Sequence, residues 1–219
     1  MIEVKNLRKE YKKMVAVEDV SLYLNKGESV GLLGPNGAGK STTISMISTL
    51  LPPTKGTVTY NGKDALDHPQ ELRPVLGVVP QEIALYDELS AYENMKFFGK
   101  VYGLSGQELE DKIQEVLELV GLIDRQKDAV NTYSGGMRRR INIAVSLMHD
   151  PEILIMDEPT VGIDPQSRNY ILDMVRNLNR EKGLTVYTRA IIWKKSKNCA
   201  TASILWTTAK SLLRVRKKS

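Results

Sequence analysis

The feature that most constrains the fold of this chain is a glycine-rich segment that matches the pattern G-x-x-x-x-G-K-[ST]. It follows the apolar segment Ser29–Leu33 and precedes helix-forming residues that start at Lys40. Glycines allow successive backbone N–H groups to turn toward one anion, and the positive end of the following helix adds to the attraction. The segment therefore predicts a phosphate-binding loop. Its residues are Gly34, Pro35, Asn36, Gly37, Ala38, Gly39, Lys40, Ser41 and Thr42.

Two residues of this loop have predicted chemical roles. Lys40 is expected to reach the β- and γ-phosphates of a nucleotide, and the Ser41 hydroxyl to bind Mg²⁺. The alternative is a glycine turn that matches by accident, which average residue usage gives roughly once in a hundred chains of this length. The strand before the loop and the helix after it argue further against that alternative.

A second candidate site is the pair Asp157 and Glu158, which follows the apolar segment Ile153–Met156. Ligands of open α/β sheets bind at the carboxyl ends of the strands, beside the phosphate loop. Asp157 is expected to bind Mg²⁺ directly or through water, and Glu158 to act as the general base for the attacking water. Alone, such a pair is usually a solvated loop; next to a phosphate loop, the functional interpretation is favoured.

The order of patterns predicts an α/β fold with a phosphate-loop NTPase core. Short strands at Ile2–Val4, Ser21–Leu24 and Ser29–Leu33 come first, and we expect the N-terminal strands to be antiparallel and the core sheet mostly parallel. Residues 83–148 have helical spacing and are predicted to form a helical subdomain inserted in the core. A helix at Pro165–Glu181 and a last strand at Leu184–Thr188 complete the prediction.

The family becomes identifiable at Tyr133-Ser134-Gly135-Gly136-Met137, between the two candidate sites. Over residues 1–188 the chain resembles ATP-binding subunits of ABC transporters, in motif order and in spacing. Tyr133 and Met137 depart from the commonest form of the signature, but Ser134, Gly135 and Gly136 are intact. The resemblance implies that these three residues bind the γ-phosphate of ATP held by a second subunit, in a head-to-tail dimer.

The resemblance also assigns roles to three other residues. Tyr11 matches the aromatic residue that stacks on adenine, and Asp164 a loop that crosses the dimer interface. Gln81 matches the catalytic glutamine that contacts Mg²⁺ and couples the ATP site to the helical lobe. Without the family, Tyr11 would be interpreted as a half-buried aromatic residue and Gln81 as a polar loop residue.

The implied function is that of an ATPase subunit with ATP and Mg²⁺ as cofactors. The implied partners are a second ATP-binding subunit, identical or different, and an integral membrane permease. The implied location is cytoplasmic, at the inner face of the cell membrane, and segments such as Leu51–Gly56 favour the exporter-type branch. Two alternatives stay open: a nucleotide-binding remnant with impaired hydrolysis, and a soluble ABC ATPase that acts on nucleic acid or ribosomes.

The last 31 residues differ in composition from the rest of the chain. The net charge of +5 would ordinarily suggest a nucleic-acid partner, but residues 189–219 hold nine of the 31 basic residues and none of the 26 acidic ones. Without them the balance is slightly negative, so we expect no nucleic-acid partner. This basic tail also contains both tryptophans and the single cysteine, Cys199.

Back-translation suggests that the tail is an out-of-frame product. In the alternative reading frame, each codon consists of the third base of one present codon and the first two bases of the next. In that frame the codons of Trp193–Lys194 must encode glutamate, those of Asn198–Cys199 leucine and those of Trp206–Thr207 aspartate. These residues, together with a histidine that the permitted codons allow, agree with the family's continuation. We therefore predict a one-base deletion near the codon of Val186. The competing interpretation, a natural basic tail for anionic lipid, leaves the clustering of tryptophan and cysteine unexplained.

Three expectations follow for the chain as given. Hydrolysis is expected to be impaired, because the family's water-positioning histidine is absent and no histidine follows His149. Loss of the strands that normally follow would leave an unpaired sheet edge and marginal stability. The consecutive basic residues Arg138–Arg140 are expected to lie on a solvated helix, pointing in different directions.

Overall fold

The structure is a computed structural model that describes residues 1–12, 14–189, 202–208 and 211–216, with side chains up to residue 189. The frameshift prediction falls mainly on residues outside these ranges. The strands are β1 (Ile2–Tyr11), β2 (Met14–Leu24), β3 (Ser29–Leu33), β4 (Lys55–Tyr60), β5 (Lys63–Asp64), β6 (Leu76–Val79), β7 (Ile153–Asp157), β8 (Thr185–Arg189), β9 (Ala202–Thr208) and β10 (Ser211–Arg216). The helices are α1 (Lys40–Ile47), α2 (Pro69–Leu72), α3 (Ala91–Val101), α4 (Gly106–Leu119), α5 (Gly135–Ser146) and α6 (Pro165–Glu181).

The described strands form two sheets. One has the order β2-β1-β4-β5 and is antiparallel, whereas the other has the order β10-β9-β3-β8-β7-β6 and is parallel except for the β9–β10 pair. The predicted fold class, a mostly parallel core with antiparallel N-terminal strands, is confirmed. This topology brings the carboxyl ends of β3, β7 and β8 to one edge of the sheet.

Two hydrophobic clusters lie on opposite faces of the parallel sheet. Successive side chains of β7 alternate between them, because Ile153 and Ile155 join the cluster that contains α1 and the antiparallel sheet, whereas Leu154 and Met156 join the cluster of α3 to α6. The helices between β6 and β7 therefore share a core with the sheet. The exact boundaries of the predicted helical subdomain stay a prediction.

The carboxyl-terminal strands differ from expectation. Strand β8 extends to Arg189, one residue beyond the predicted end, and it is not the last strand. The prediction of an unpaired edge is wrong, because β3 pairs with β8 on one side and with β9 on the other, both in parallel. The backbone of residues 202–208 thus supplies the pairing that the lost strands were expected to leave open.

Candidate functional site

A cleft of about 530 Å³ opens beside the glycine-rich loop that joins β3 to α1. Its other walls come from β2, from the loop after β6, and from the carboxyl ends of β7 and β8. The residues that line it are Met14, Val15, Ala16, Asn36, Gly37, Gly39, Lys40, Ser41, Thr42, Gln81, Glu158 and Arg189. The two segments that the sequence singled out therefore meet in one cleft.

The loop has a backbone that requires glycine at its last turn. Gly39 has a φ of +84° and precedes the first residue of α1. A Cβ atom at Gly39 would lie 2.3 Å from the carbonyl oxygen of Ala16, so strand β2 packs directly against the loop. This close approach leaves no room for a side chain at position 39.

Lys40 lies under the loop. Its Nζ donates to the carbonyl oxygens of Gly34 at 2.8 Å and Pro35 at 2.5 Å. Burial lowers the pKa of Lys40, and the nearby charge of Arg189 lowers it further, against the opposing effect of Glu158 and Asp157. An incoming phosphate would replace the two carbonyl oxygens as acceptors and would favour the charged ammonium.

The acidic pair lies at the end of β7. Glu158 is a non-glycine residue in the left-handed region, with a φ of +49°, and its backbone N–H donates to the carbonyl oxygen of Arg189 at 3.1 Å. This conformation turns the nearly buried carboxylate of Glu158 into the cleft, where it faces the loop. Burial raises the pKa of Asp157, and Arg189 and a hydrogen bond from Ser41 act in the opposite direction.

Arg189 lies at the centre of the site, although no sequence motif predicts a function for it. Its Nε is 2.9 Å from Oδ1 of Asp157, and its Nη2 is 2.6 Å from Oε1 of Glu158. Nη2 also donates to Oε1 of Gln81 at 3.3 Å, and Nη1 donates to the Ser41 hydroxyl. One guanidinium thus contacts all three predicted magnesium ligands and the predicted general base.

A predicted strand β8 that ended at Arg189 instead of Thr188 would have indicated that Arg189 lies at the site. Arg189 is the register partner of Asp157 across the β7–β8 pair, so the strand register alone places it beside the acidic pair. We assigned it instead to the basic tail, because the charge composition changes there.

A second residue that the sequence did not single out is Arg139, on α5. Its guanidinium donates to the carbonyl oxygens of Pro80, at 2.8 Å, and Gln81. The expectation of a solvated helix face at Arg138–Arg140 is wrong here, because Arg139 is buried against the loop after β6. Its neighbours do point elsewhere, with Arg138 paired to Asp87 and Arg140 donating to Val120.

The signature residues lie at the start of α5, away from the cleft lining. Ser134 caps the helix by accepting a hydrogen bond from the backbone N–H of Met137 at 3.2 Å. Gly136 packs so closely against α6 that an added Cβ would lie 2.1 Å from Oγ of Ser167 and 3.2 Å from Oδ2 of Asp164. The structure therefore brings the signature and Asp164 together on one surface, with Ser134, Gly135 and Asp164 exposed.

The two tyrosines of interest have different environments. Tyr133, which departs from the common signature, is buried in the helical cluster, where its hydroxyl donates to the carbonyl oxygen of Arg125. Tyr11 lies at the tip of the β1–β2 hairpin, 43% exposed, and is the register partner of the cleft residue Met14. Tyr11 is thus paired with a residue that lines the cleft but does not line it itself.

The described residues contain neither a cluster of metal-ligating side chains nor a membrane-spanning helix. Among the residues with described positions, no three His, Cys, Asp or Glu side chains group as a metal site. Within the same described residues, no helix combines the length and the apolar composition that a membrane span requires.

A glycine-rich phosphate loop and a buried carboxylate lie together at the carboxyl-terminal edge of the parallel sheet. This arrangement defines a phosphate-loop nucleotide-binding domain. Residues 17–161 match the family model described as ABC transporter. The chain belongs to this family.

Curated relatives agree with the assignment. The chain is 56% identical over 186 residues to the linearmycin resistance ATP-binding protein LnrL of Bacillus subtilis, which covers 85% of this chain and 60% of that protein. It is 42% identical over 181 residues to the doxorubicin resistance ATP-binding protein DrrA of Mycobacterium tuberculosis, covering 82% and 55%. The chain thus spans little more than half the length of these relatives.

Solved structures share the fold. The ATP-binding cassette MJ0796, a bacterial ABC transporter cassette solved as a dimer, aligns with a TM-score of 0.87 at 28% identity, with both chains fully covered. A second dimeric structure of MJ0796, in a post-hydrolysis state with ADP and Pi, aligns with a TM-score of 0.85 at 27% identity.

Proposed function

We propose that this chain is the ATP-binding subunit of an ABC exporter. In this role it binds ATP on the loop Gly34–Thr42, dimerises head to tail, and drives a partner permease at the inner face of the cell membrane. The names of LnrL and DrrA favour a function in drug resistance. The observation on which the proposal rests is the single cleft shared by the phosphate loop and the Glu158 carboxylate.

Each wall of the cleft has a proposed task. The loop N–H groups and Lys40 hold the phosphates, and the exposed ring of Tyr11 provides a surface for the adenine base. Glu158 is positioned to accept a proton from a water molecule that attacks the γ-phosphate. Gln81 faces the same cleft and is connected to the signature helix through Arg139.

The predicted magnesium ligands have the chemistry that Mg²⁺ requires, but in their present arrangement they are in contact with Arg189. A hydroxyl, an amide oxygen and a carboxylate are suitable ligands, and Ser41, Gln81 and Asp157 supply them. The guanidinium of Arg189, however, lies among the same oxygen atoms. A metal ion could enter this position only after Arg189 had left it.

A second candidate function is nucleotide binding with little turnover. It is favoured by the ion pair between Arg189 and Glu158, because a carboxylate oxygen that is already bonded to a guanidinium is not free to accept a hydrogen bond from an attacking water molecule. Steady-state hydrolysis measured on a sample with proven ATP binding separates the two functions. Turnover that Glu158→Gln abolishes supports the transport ATPase, whereas binding without turnover supports the second candidate.

The dimer is tested by size-exclusion chromatography with a non-hydrolysable ATP analogue. We expect the analogue to dimerise the chain and Ser134→Arg to prevent this while analogue binding persists, because Ser134 is an exposed signature residue. Ser105→Arg, at the exposed start of α4, is the matched control and should dimerise. The head-to-tail arrangement is contradicted if both variants dimerise equally.

A further inference from the structure

The cation position of this site already contains a positive charge that belongs to the chain. Arg189 is buried, and its guanidinium is in contact with Asp157, Glu158, Ser41 and Gln81. These contacts engage all three N–H-bearing nitrogens of the group. Its location is thus fixed by four side chains from three different segments and by its place in the strand.

A guanidinium and a divalent cation compete for the same oxygen atoms. Mg²⁺ requires oxygen ligands at about 2.0–2.1 Å in nearly ideal octahedral geometry. Here the carboxylates of Asp157 and Glu158 are already paired with nitrogen atoms at 2.9 and 2.6 Å. Because arginine remains charged at any pH that a protein tolerates, deprotonation cannot vacate the position.

The negative charge at this position is also partly neutralised without a metal ion. The buried carboxylate of Glu158 and the partly buried carboxylate of Asp157 would repel one another if no cation lay between them, and Arg189 supplies that cation. Lys40 is the other basic side chain of the cleft lining, and it bonds to the loop carbonyls instead. A divalent ion would add a second and third positive charge to this cluster.

We propose that Arg189 is a built-in counter-cation that excludes a divalent metal ion from the phosphate-loop site. The chain then binds nucleoside triphosphate in metal-free form. The guanidinium stays between the acidic pair and the bound nucleotide, where its planar donors suit phosphate oxygens. This inference rests on the nucleotide binding of the proposed function, and of the two candidate functions it favours binding with little turnover, because Glu158 stays paired with Arg189.

The test is the effect of Mg²⁺ on nucleotide affinity, measured on the full chain with a fluorescent ATP analogue in excess EDTA and in excess MgCl₂. We expect the same affinity in both conditions for the wild-type chain. For Arg189→Gln we expect Mg²⁺ to tighten binding by about tenfold or more, the ordinary size of a coupling between two ligands. Arg180→Gln, at an exposed position in the last turn of α6, should behave as the wild type.

A metal-binding readout without nucleotide separates this inference from the proposed function. Free Mn²⁺ is measured by electron paramagnetic resonance with the same chains. We expect the wild-type chain to leave Mn²⁺ free and Arg189→Gln to bind it. If no chain binds the nucleotide, the proposed function fails, and the Mn²⁺ result alone decides the inference.

The wild-type chain is sufficient to overturn the inference, even if Arg189→Gln does not fold. A wild-type affinity that Mg²⁺ tightens about tenfold, the size expected for the variant, would show that the metal displaces the guanidinium. Binding of Mn²⁺ by the wild-type chain in the absence of nucleotide would contradict it in the same way.

Discussion

Arg139 on α5 donates a hydrogen bond from its guanidinium to the backbone oxygen of Gln81. The same guanidinium donates to Pro80 at 2.8 Å, so the helix that begins with the signature holds the loop that faces the cleft. The signature helix is therefore joined by hydrogen bonds to the backbone of the segment that contains Gln81. Because the acceptors are backbone oxygens, these bonds do not require a particular side chain at position 81.

Replacing Arg139 by methionine is expected to destabilise the chain by about 1–3 kcal/mol, because two carbonyl oxygens lose a charged donor in a buried environment. Urea unfolding followed by circular dichroism measures this loss. The matched control is Arg138→Met, which breaks a partly exposed ion pair with Asp87 and should cost no more than about 1 kcal/mol. Equal losses in the two variants would contradict the role assigned to Arg139.

Adding one methyl group at Gly136 is expected to destabilise the chain, whereas the same change at Gly135 is not. A Cβ at Gly136 would overlap Ser167 on α6, but a Cβ at Gly135 meets no atom within 4 Å. Gly135→Ala should be neutral or stabilising by up to about 1 kcal/mol, the helix preference of alanine. Thermal unfolding compares the two variants, and Gly136→Ala with Ser167→Gly should recover part of the loss. A Gly136→Ala chain as stable as Gly135→Ala would refute the close packing.

The elements of the fold that could be predicted are those whose secondary structure is indicated by the residues of one short segment. Strand Ser29–Leu33 and helix Pro165–Glu181 have the predicted bounds, and Ser90 caps α3 through a capping box with Glu93. Strand β1 was predicted only as Ile2–Val4, because register shifts after Val4 interrupt its alternation of buried and exposed residues. Irregular pairing of this kind depends on the partner strand, so the residues of β1 alone do not predict where the strand ends.

The residues of the candidate site likewise divide into those that a local motif predicts and those that depend on distant contacts. The loop and the acidic pair are local motifs, and the rule that ligands bind at strand ends correctly predicted that they meet. Arg189 and Arg139 act through contacts with residues 31 and 58 positions away, which composition and helical spacing do not reveal. Their identification required the strand register and the packing of α5 against the loop after β6.

The partly buried ring of His149 predicts a contribution to the pH dependence of stability. Burial lowers the pKa of His149 from its ordinary value of 6.5, against a hydrogen bond with Leu76 and the charge of Asp150, and in the same direction as the charge of Lys112. The folded chain therefore binds this proton less readily than the unfolded chain. Its contribution to the free energy of unfolding is present above about pH 6.5 and decreases as the pH falls through the lower folded pKa.

Urea unfolding at a series of pH values tests this assignment. His149→Phe keeps a ring stacked on Tyr102 and should show a weaker loss of stability between neutral and mildly acidic pH. His68→Gln, at an exposed position, should follow the wild-type curve. If His149→Phe follows the wild-type curve as well, the histidine is not kept neutral by burial.

The frameshift is a prediction about the gene, and two measurements test it together. Sequencing the coding DNA across codons 180–219 is expected to show one additional base near the codon of Val186. The intact mass of the protein made from the native gene should then differ from 24.5 kDa, the mass of the chain as given. If DNA and mass both agree with the present sequence, the frameshift is excluded and the basic tail is natural.

The central claim is that the loop Gly34–Thr42 binds ATP, and equilibrium dialysis with radiolabelled ATP tests it most directly. The account predicts that the wild-type chain binds ATP. Lys40→Ala should weaken binding by about tenfold to a hundredfold, because charged hydrogen bonds contribute about 1.5–3 kcal/mol each. Lys127→Ala, at an exposed position outside the cleft, is the control and should bind as the wild type does. Equal ATP binding by the wild-type and Lys40→Ala chains, or no binding by the wild type, would contradict the account.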